Sequence, residues 1–415
     1  LDYQLDFKKP VSNKIMKNLL RNFLFVTCLG SCTFLGEKNK VSDYIQKPDY
    51  SLKSVEYVPI VPNIGTGIKP VSLYAGYDEL IYAVDSGQAI ISYDMAGNGI
   101  GKLTLPGVQF VIQNRSLDLF ALGRLDTTIQ TVNFNLPVIY KISQKVNPTE
   151  IGDPVRLDLN LARVVKKMVY PFCINESQKL QRKTQLEATK LSSIGFMADN
   201  SYYISSSGPQ EDATEPYITR RNSILTFSKG DNFQGGFTEG DAQKSIGAIG
   251  LTTLVQPPQR ARMEERLDFI YTSFTSDIAI SVRYLEVVNT PDGLVYNFKV
   301  FGIPSSRESD GYLYDPFRFE KPSAVLYAGT SQKYIFVADE GKDSIFVFQE
   351  NGYEGAIPPP QYTNRKLIKV SFGGTGNGPL QFNRPVALAF ANRTLFVADA
   401  GNRRIVRFKL TSDYE

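Results

Sequence analysis

Short apolar runs separated by turn residues recur along most of this chain. Near the C-terminus, Val386–Phe390 and Leu395–Ala398 flank a polar Asn392-Arg393-Thr394 tip, and Ile405–Leu410 follows Asp399-Ala400-Gly401-Asn402. Runs of this length, bounded by Gly, Asn and Asp, predict antiparallel strands joined by tight turns. The same order occurs upstream. Lys321-Pro322-Ser323-Ala324-Val325 precedes Tyr334–Asp339 and then Ser344–Phe348, and Lys69-Pro70-Val71-Ser72-Leu73 precedes Leu80–Asp85 and then Ala89–Tyr93. Asp339 and Asp399 lie 60 positions apart, and Asp85 and Asp339 lie 254 apart, about four such steps. A repeat of this kind predicts stacked units, because a single unit cannot bury both of its faces. Six units fit, with three divergent ones in the middle.

The sequence Pro-x-x-hydrophobic followed by LFVADAGNRRIVRF, residues 395–408, resembles the NHL repeat, a blade of a β-propeller. The resemblance implies an all-β, six-bladed β-propeller over residues 52–415. It is specific in blades one, five and six and is carried into the middle by spacing. There, Val108–Ile112, Asp118–Leu122 and Val138–Ile142 are the expected strands of blade two, with Asp126-Thr127-Thr128 as a polar loop between them. Val155–Leu161 alternates and is expected to open blade three, which continues through Ile194–Ala198, Tyr202–Ser205 and Ser223–Phe227. Phe269–Phe274, Ile278–Val282 and Val295–Phe301 are expected in blade four, with the Thr290–Gly293 turn before its last strand. From Cys32 onward the chain gives about 64 residues per blade, more than the roughly 40 to 50 of four-stranded repeats, so insertions must decorate the rims. Two stand out: the charged Asn175–Lys190, readable as a long hairpin or a short helix, and Gly208–Arg221. Long loops of this kind are candidates for partner binding.

Ser54–Ile60 alternates like a strand, and the sixth blade shows only three strands of its own. The N-terminal strand is therefore expected to join blade six and close the ring, removing an exposed edge.

Ahead of the propeller, Met16–Asn22 is short and basic, Phe23–Leu29 is apolar, and Leu29-Gly30-Ser31-Cys32 follows. That order is the order of a secretory signal. It resembles a bacterial lipoprotein signal with its lipobox, which implies cleavage before Cys32 and acylation of that residue. Met16 is the expected initiator, residues 1–31 the leader and signal, and residues 32–51 a polar tether. The apolar run is too short to span a bilayer. The expected location is a bacterial cell envelope, periplasmic or surface-exposed, with the membrane reached through the lipid.

Composition narrows the chemistry. The 415 residues are 42% hydrophobic and 21% charged, ample for a sizeable core, and contain no His or Trp. Without His, Ser-His-Asp and Cys-His catalysis and every His-ligated metal site drop out. The net charge is +4, concentrated toward the N-terminus, and the body carries no long basic run, which argues against nucleic-acid binding. Three Cys do not make a disulfide framework.

The remaining candidates are local. Asp85, Asp339 and Asp399 are read as turn anchors, because Asp beside Gly accepts backbone N–H bonds. They would bind Ca²⁺ only if several oxygens converged, so no cofactor is expected. Gly373–Gly378 has the glycines of a phosphate loop but leads into Pro379 and a strand rather than a helix, and it reads as an inter-blade crossing. Arg403, Arg404 and Arg407 are read as solvated or paired rather than as a basic patch. Cys173 lacks an activating His and reads as a buried thiol. The leading expectation is a non-catalytic binding or scaffolding module for an envelope protein, peptide or glycan. The alternative is a His-free enzyme of the propeller lyase or lactone hydrolase type, using a metal or carboxylates in the central channel.

Overall fold

The computed structural model describes residues 54–146, 156–170, 176–208, 223–237, 248–255, 266–273, 279–329, 333–360 and 365–413. Within them, six four-stranded antiparallel sheets follow one another along the chain as the blades of a propeller. Blade 1 comprises Pro70–Ala75, Ile81–Asp85, Ala89–Tyr93 and Gly99–Thr104, from the inner strand outward. Blade 2 comprises Val108–Gln113, Leu119–Ile129, Val132–Ser143 and Arg163–Val169. Blade 3 runs from Lys190–Phe196 to Phe233–Phe237, blade 4 from Ala248–Thr253 to Gly293–Phe298, and blade 5 from Pro322–Tyr327 to Phe372–Gly373. Inner strands of neighbouring blades pack side by side around the centre, including that of blade 6 against that of blade 1.

Blade 6 is built from both ends of the ring. Pro385–Ala391, Thr394–Asp399 and Arg404–Leu410 are contiguous in sequence, and Tyr57–Ile64 supplies the outer strand. Tyr57 pairs with Leu410, Val58 with Lys409 and Ile60 with Arg407. Arg407 is buried and donates from Nη1 to the carbonyls of Met95 and Ala96 and from Nη2 to Pro62, tying the outer strand to the next blade. The Asn392-Arg393 tip takes positive φ at both residues (48° and 57°), the geometry a two-residue hairpin demands.

The core lies between blades. The second strands of blades 1, 5 and 6 are deeply buried: Ile81–Val84, Ile335–Asp339 and Leu395–Asp399 are each buried throughout. Between blades 5 and 6, Phe336 stacks on Phe390 at 5.4 Å, and Tyr57 of the closing strand stacks on Phe372 at 5.4 Å.

The middle of the chain departs from the sequence reading in three places. Arg156–Leu157 pairs only with Lys145–Val146, and Asp158 caps a single 3-10 turn over Leu159–Leu161, so this stretch does not open blade 3. The fourth strand of blade 2 is instead Arg163–Val169, and blade 3 begins at Lys190. Asp126-Thr127-Thr128 is strand, not loop: the Leu119–Ile129 and Val132–Ser143 hairpin is paired up to Ile129 and Val132. In blade 4 the third strand is Val282–Thr290 and the outer one ends at Phe298, while the inner strand Ala248–Thr253 had not been recognised. Of the two readings left open for Asn175–Lys190, the helical one holds: Glu176–Gln181 and Lys183–Ala188 are short helices ahead of blade 3. Cys32, the signal and the tether, Cys173, and Gly208–Arg221 beyond its first residue lie outside the described residues.

Candidate functional site

All six inner strands share one irregularity. The ladder to the second strand slips between Pro70 and Ser72, Val108 and Phe110, Leu191 and Ser193, Ala248 and Leu251, Pro322 and Ala324, and Pro385 and Ala387. Each slip is a β-bulge near the start of the inner strand. A bulge adds twist and re-aims side chains, and such irregularities concentrate at the rims of rings. Here they form a collar at one mouth of the central channel.

Inside that mouth is a cavity of about 250 Å³. Its wall is mainly aliphatic and aromatic, with Val71, Phe110, Ile194, Leu326, Val386 and Leu388 among its lining residues. Farther along the inner strands of blades 1, 5 and 6, a separate space of about 10 Å³ lies beside Tyr74, Tyr327 and Phe390. The mouth cavity, lined by the inner strands of all six blades, is the funnel. Burial pushes the Tyr74 phenol well above its ordinary range, with Tyr77 and Asp78 adding to the shift, so this group is neutral at any physiological pH.

The hydroxyls of the funnel are mostly committed to holding blades together. Val111 N–H donates to Ser72 Oγ (3.2 Å), joining blades 1 and 2. Ser193 Oγ donates to the Leu251 carbonyl (3.1 Å), joining blades 3 and 4. Tyr327 N–H donates to Thr252 Oγ1 (3.3 Å), and Ser323 Oγ donates to the Pro385 carbonyl (2.7 Å). Gly250 lets the inner strands of blades 4 and 5 approach, since a Cβ there would lie 3.0 Å from Ala324 Cα.

One carboxylate lines the cavity: Glu340, from the turn after the second strand of blade 5. Its Oε1 accepts from Lys321 Nζ at 2.8 Å and from Arg384 Nε at 3.1 Å. Lys321 and Arg384 immediately precede the inner strands of blades 5 and 6. Lys69 holds the matching place in blade 1, and Lys190 opens the inner strand of blade 3. Four of the six inner strands therefore begin with a cation.

The three aspartates stand at the ends of second strands, on the rim of this mouth, each in its own blade. Asp339 is fully buried, and its two oxygens accept from the backbone N–H groups of Glu320, Lys321, Gly341 and Lys342 at 2.8–3.2 Å. Asp399 accepts from Asn383 N, Asn402 Nδ2 and Arg404 Nε, each at 2.8 Å. Asp85 accepts from Lys69 N at 2.9 Å. In each blade at least one of these bonds, from Lys69 N, Glu320 N, Lys321 N or Asn383 N, joins the incoming inter-blade crossing to the blade it enters. Among the described residues no three Cys, Asp or Glu side chains stand close enough to share a metal ion.

Other sequence candidates fall to structural tasks. Arg404 donates to the carbonyls of Asn377, Gly378 and Gln381, so the glycine loop presents carbonyl oxygens to a cation rather than N–H groups to a phosphate. Arg403 donates to Gly67 O, and Arg407 is enclosed in the closing blade. The helices of 176–188 pack against the blade 2 hairpin: Arg124 donates to the carbonyls of Thr189 and Glu187, and Glu187 Oε1 accepts from Asn135 N. Sequence reasoning missed the collar and the Glu340 triad. Only the repeated basic residue before Pro, in Lys69-Pro70, Lys321-Pro322 and Arg384-Pro385, signalled them.

No protein-family model matches the chain, and no curated protein matches it. Solved structures similar to it include an auxiliary nutrient binding protein from Bacteroides ovatus (8% identity, TM-score 0.47, covering 86% of this chain and 77% of that one). Virginiamycin B lyase from Staphylococcus aureus aligns at 10% identity and TM-score 0.40 over 86% and 99% of the two chains. The PQQ-bound form of aldose sugar dehydrogenase from Streptomyces coelicolor aligns at 11% and 0.47 over 86% and 98%. At these identities the likeness extends to the fold.

Proposed function

We propose that the protein is a lipid-anchored, non-catalytic binding propeller of a bacterial envelope, which uses the collared mouth of its funnel to hold a ligand or partner. The state of the funnel's polar groups carries this reading. General acid–base work requires a group poised in reach of a substrate. Here Ser72, Ser193, Thr252 and Ser323 staple blades, and the carboxylate in the wall, Glu340, already shares its Oε1 between two cations. A preformed concave space with an apolar wall and few polar groups is the ordinary form of a binding site. The lipoprotein-like stretch ending at Cys32 supports the anchor.

The position of the chain's entry also supports a tethered binder. Thr411 Oγ1 donates to Ser54 O, and Thr411 N donates to Glu56 O, which places the start of the closing strand at the rim opposite the collared mouth.

The test is expression of the full chain in a bacterial host with and without Cys32→Ala. The reading expects the wild type to partition into detergent with a diacylglycerol-type mass increment at Cys32, and the variant to remain water-soluble and unmodified. An unmodified Cys32 in the wild type sinks the anchor. Turnover of lactone or glycan substrates that is lost on Glu340→Gln sinks the non-catalytic half.

A further inference from the structure

We propose that the propeller rests sideways on an anionic membrane, through the outer strands of blades 1 and 2. The inference goes beyond the binding reading and does not need an acyl chain at Cys32. It starts from where the charges of the blade edges fall. The six outer strands carry four Lys or Arg residues and no Asp or Glu. All four stand on two adjacent blades: Lys102 in Gly99–Thr104, and Arg163, Lys166 and Lys167 in Arg163–Val169. The outer strands of blades 3, 4, 5 and 6 hold none.

Pairing removes one of the four. Lys166 Nζ lies 3.1 Å from Asp231 Oδ2, which also has Lys141 Nζ at 3.5 Å. Asp158, the one acid between residues 156 and 169, has Arg156 Nη2 at 3.8 Å. Lys102, Arg163 and Lys167 are exposed and have no ion pair among the described residues. Three aliphatic side chains are interleaved with them: Ile100, Leu161 and Val165 are 52%, 60% and 51% exposed. Asn160 makes the six residues one patch. It sits in the turn that leads into Arg163–Val169, and its side chain accepts from Lys102 N at 3.0 Å and donates to Ile100 O at 3.4 Å.

Those two bonds also bear on the kind of partner. Asn160 occupies the backbone edge of blade 1, and the bulge between Val164 and Lys166 interrupts the last ladder of blade 2. Neither edge suits the added strand that an extended peptide would supply. Unpaired cations alternating with half-exposed aliphatics suit a layer of anionic headgroups above hydrocarbon. Contact through the perimeter leaves the collared mouth open to water.

The experiment uses the full chain carrying Cys32→Ala, so that no acyl chain contributes. It is floated with vesicles of phosphatidylglycerol and phosphatidylcholine in equal parts, and with vesicles of phosphatidylcholine alone. Binding should require phosphatidylglycerol and weaken as NaCl rises from about 50 to about 500 mM. A cation at an anionic surface is worth about fivefold in partition. Lys102→Gln/Arg163→Gln/Lys167→Gln should therefore lower the partition coefficient at least about tenfold, and Ile100→Ser/Leu161→Ser/Val165→Ser should lower it several-fold. Arg307→Gln/Arg365→Gln/Lys369→Gln removes equal charge from exposed positions outside the patch and should leave it unchanged.

An equal loss in that last variant assigns the effect to net charge and overturns the proposal. Equal binding to both kinds of vesicle overturns it too. So does the absence of binding by protein whose thermal unfolding is normal, and that result leaves the anchored-binder reading standing. Polyglutamate is the probe for an acidic macromolecule: if it binds as well as the anionic vesicles do, and the serine substitutions change neither, the membrane assignment falls. Cations on edge strands also guard against aggregation. If that is their whole role, the glutamine variant turns turbid while its vesicle binding stays at the wild-type level, and the proposal is again overturned. An unmodified Cys32 in the wild type ends the anchor and leaves this contact intact.

Discussion

Blades 5 and 6 and blades 2, 3 and 4 have the same backbone and different chemistry. In blades 5 and 6, Asp339 and Asp399 close the second strand, accept three or more hydrogen bonds each, and fasten the incoming crossing through Glu320 N and Lys321 N in one case and Asn383 N in the other. At the matching register, blade 2 has Gly123, opposite Val108; blade 3 has Ser206, opposite Leu191; and blade 4 has Ser273, opposite Ala248. All six inner strands nevertheless bulge at this point. In blade 2 the crossing lies so close that a Cβ on residue 123 would meet Gly107 O at 2.7 Å, and backbone does the fastening: Arg124 N donates to Gly107 O at 3.1 Å. The lesson is that the aspartate is one of several ways to secure a junction whose geometry the ring as a whole dictates. Recognisability in sequence follows the chosen fastener, not the fold.

The comparison breaks first at blade 6, recognisable in sequence yet incomplete without a distant strand. Deleting residues 54–61 removes the partner of Phe408–Leu410 and exposes a sheet edge. Burial of Tyr57 alone is worth about 2 kcal/mol. Calorimetry should show the unfolding midpoint falling by at least about 10 °C, with aggregation visible in light scattering. An unchanged midpoint would mean that three strands suffice.

Next in size is the fastener itself. Asp339→Ala removes a fully buried acceptor from four part-buried backbone donors and should cost about 3 kcal/mol in denaturant unfolding, since each hydrogen bond lost costs on the order of 1 kcal/mol and the donors are partly open to water. Ser206→Ala, which removes a single buried hydroxyl at the matching place in blade 3, should cost less, about 1 kcal/mol. Equal losses would show that the two kinds of blade are fastened alike.

The smallest effect concerns the border between a divergent and a recognisable blade. Arg266 of blade 4 donates to Glu350 of blade 5 at 2.9 Å, and Lys333 lies 3.2 Å from the same carboxylate. Burial pushes the Glu350 pKa up, but the bonds from Arg266 and Lys333 outweigh it and leave the pKa below the usual carboxylate value. An acid with a lowered folded-state pKa contributes stability above its unfolded pKa and loses that contribution as the pH falls through the folded one. Glu350→Gln should therefore unfold earlier than wild type at pH 7, and the difference should close as the pH is lowered toward 3. A gap independent of pH would assign the effect to packing.

How much of this was legible follows from the same chemistry. The Asp-Gly turns of blades 1, 5 and 6 are local signals, and with their spacing they predict six blades and the closing strand. Arg163–Val169 was invisible because an outermost strand with exposed Arg163, Lys166 and Lys167 has no apolar face to display. Val155–Leu161 misled because its alternation matches a strand, whereas Asp158 accepts from Asn160 N and turns the chain. Ala248–Thr253 was missed because Gly250 and two threonines answer to close inter-blade approach rather than to apolar burial. In the funnel, the basic residue before each Pro was in plain view. Its meeting with Glu340 depends on neighbouring blades, a relation that no single stretch encodes.

The closing strand also has a mechanical consequence. If the chain is held at its N-terminal end while a partner sits in the opposite mouth, every pull on the partner passes through Ser54 into the ladder of Tyr57–Ile64 against Arg404–Leu410. The pull runs along the strands, so the rungs are loaded together in shear rather than opened one by one like a zipper. Arg407, donating to Met95, Ala96 and Pro62, acts as a cross-pin and passes part of that load into blade 1. The joint that completes the ring is thus also the one able to carry tension without opening it.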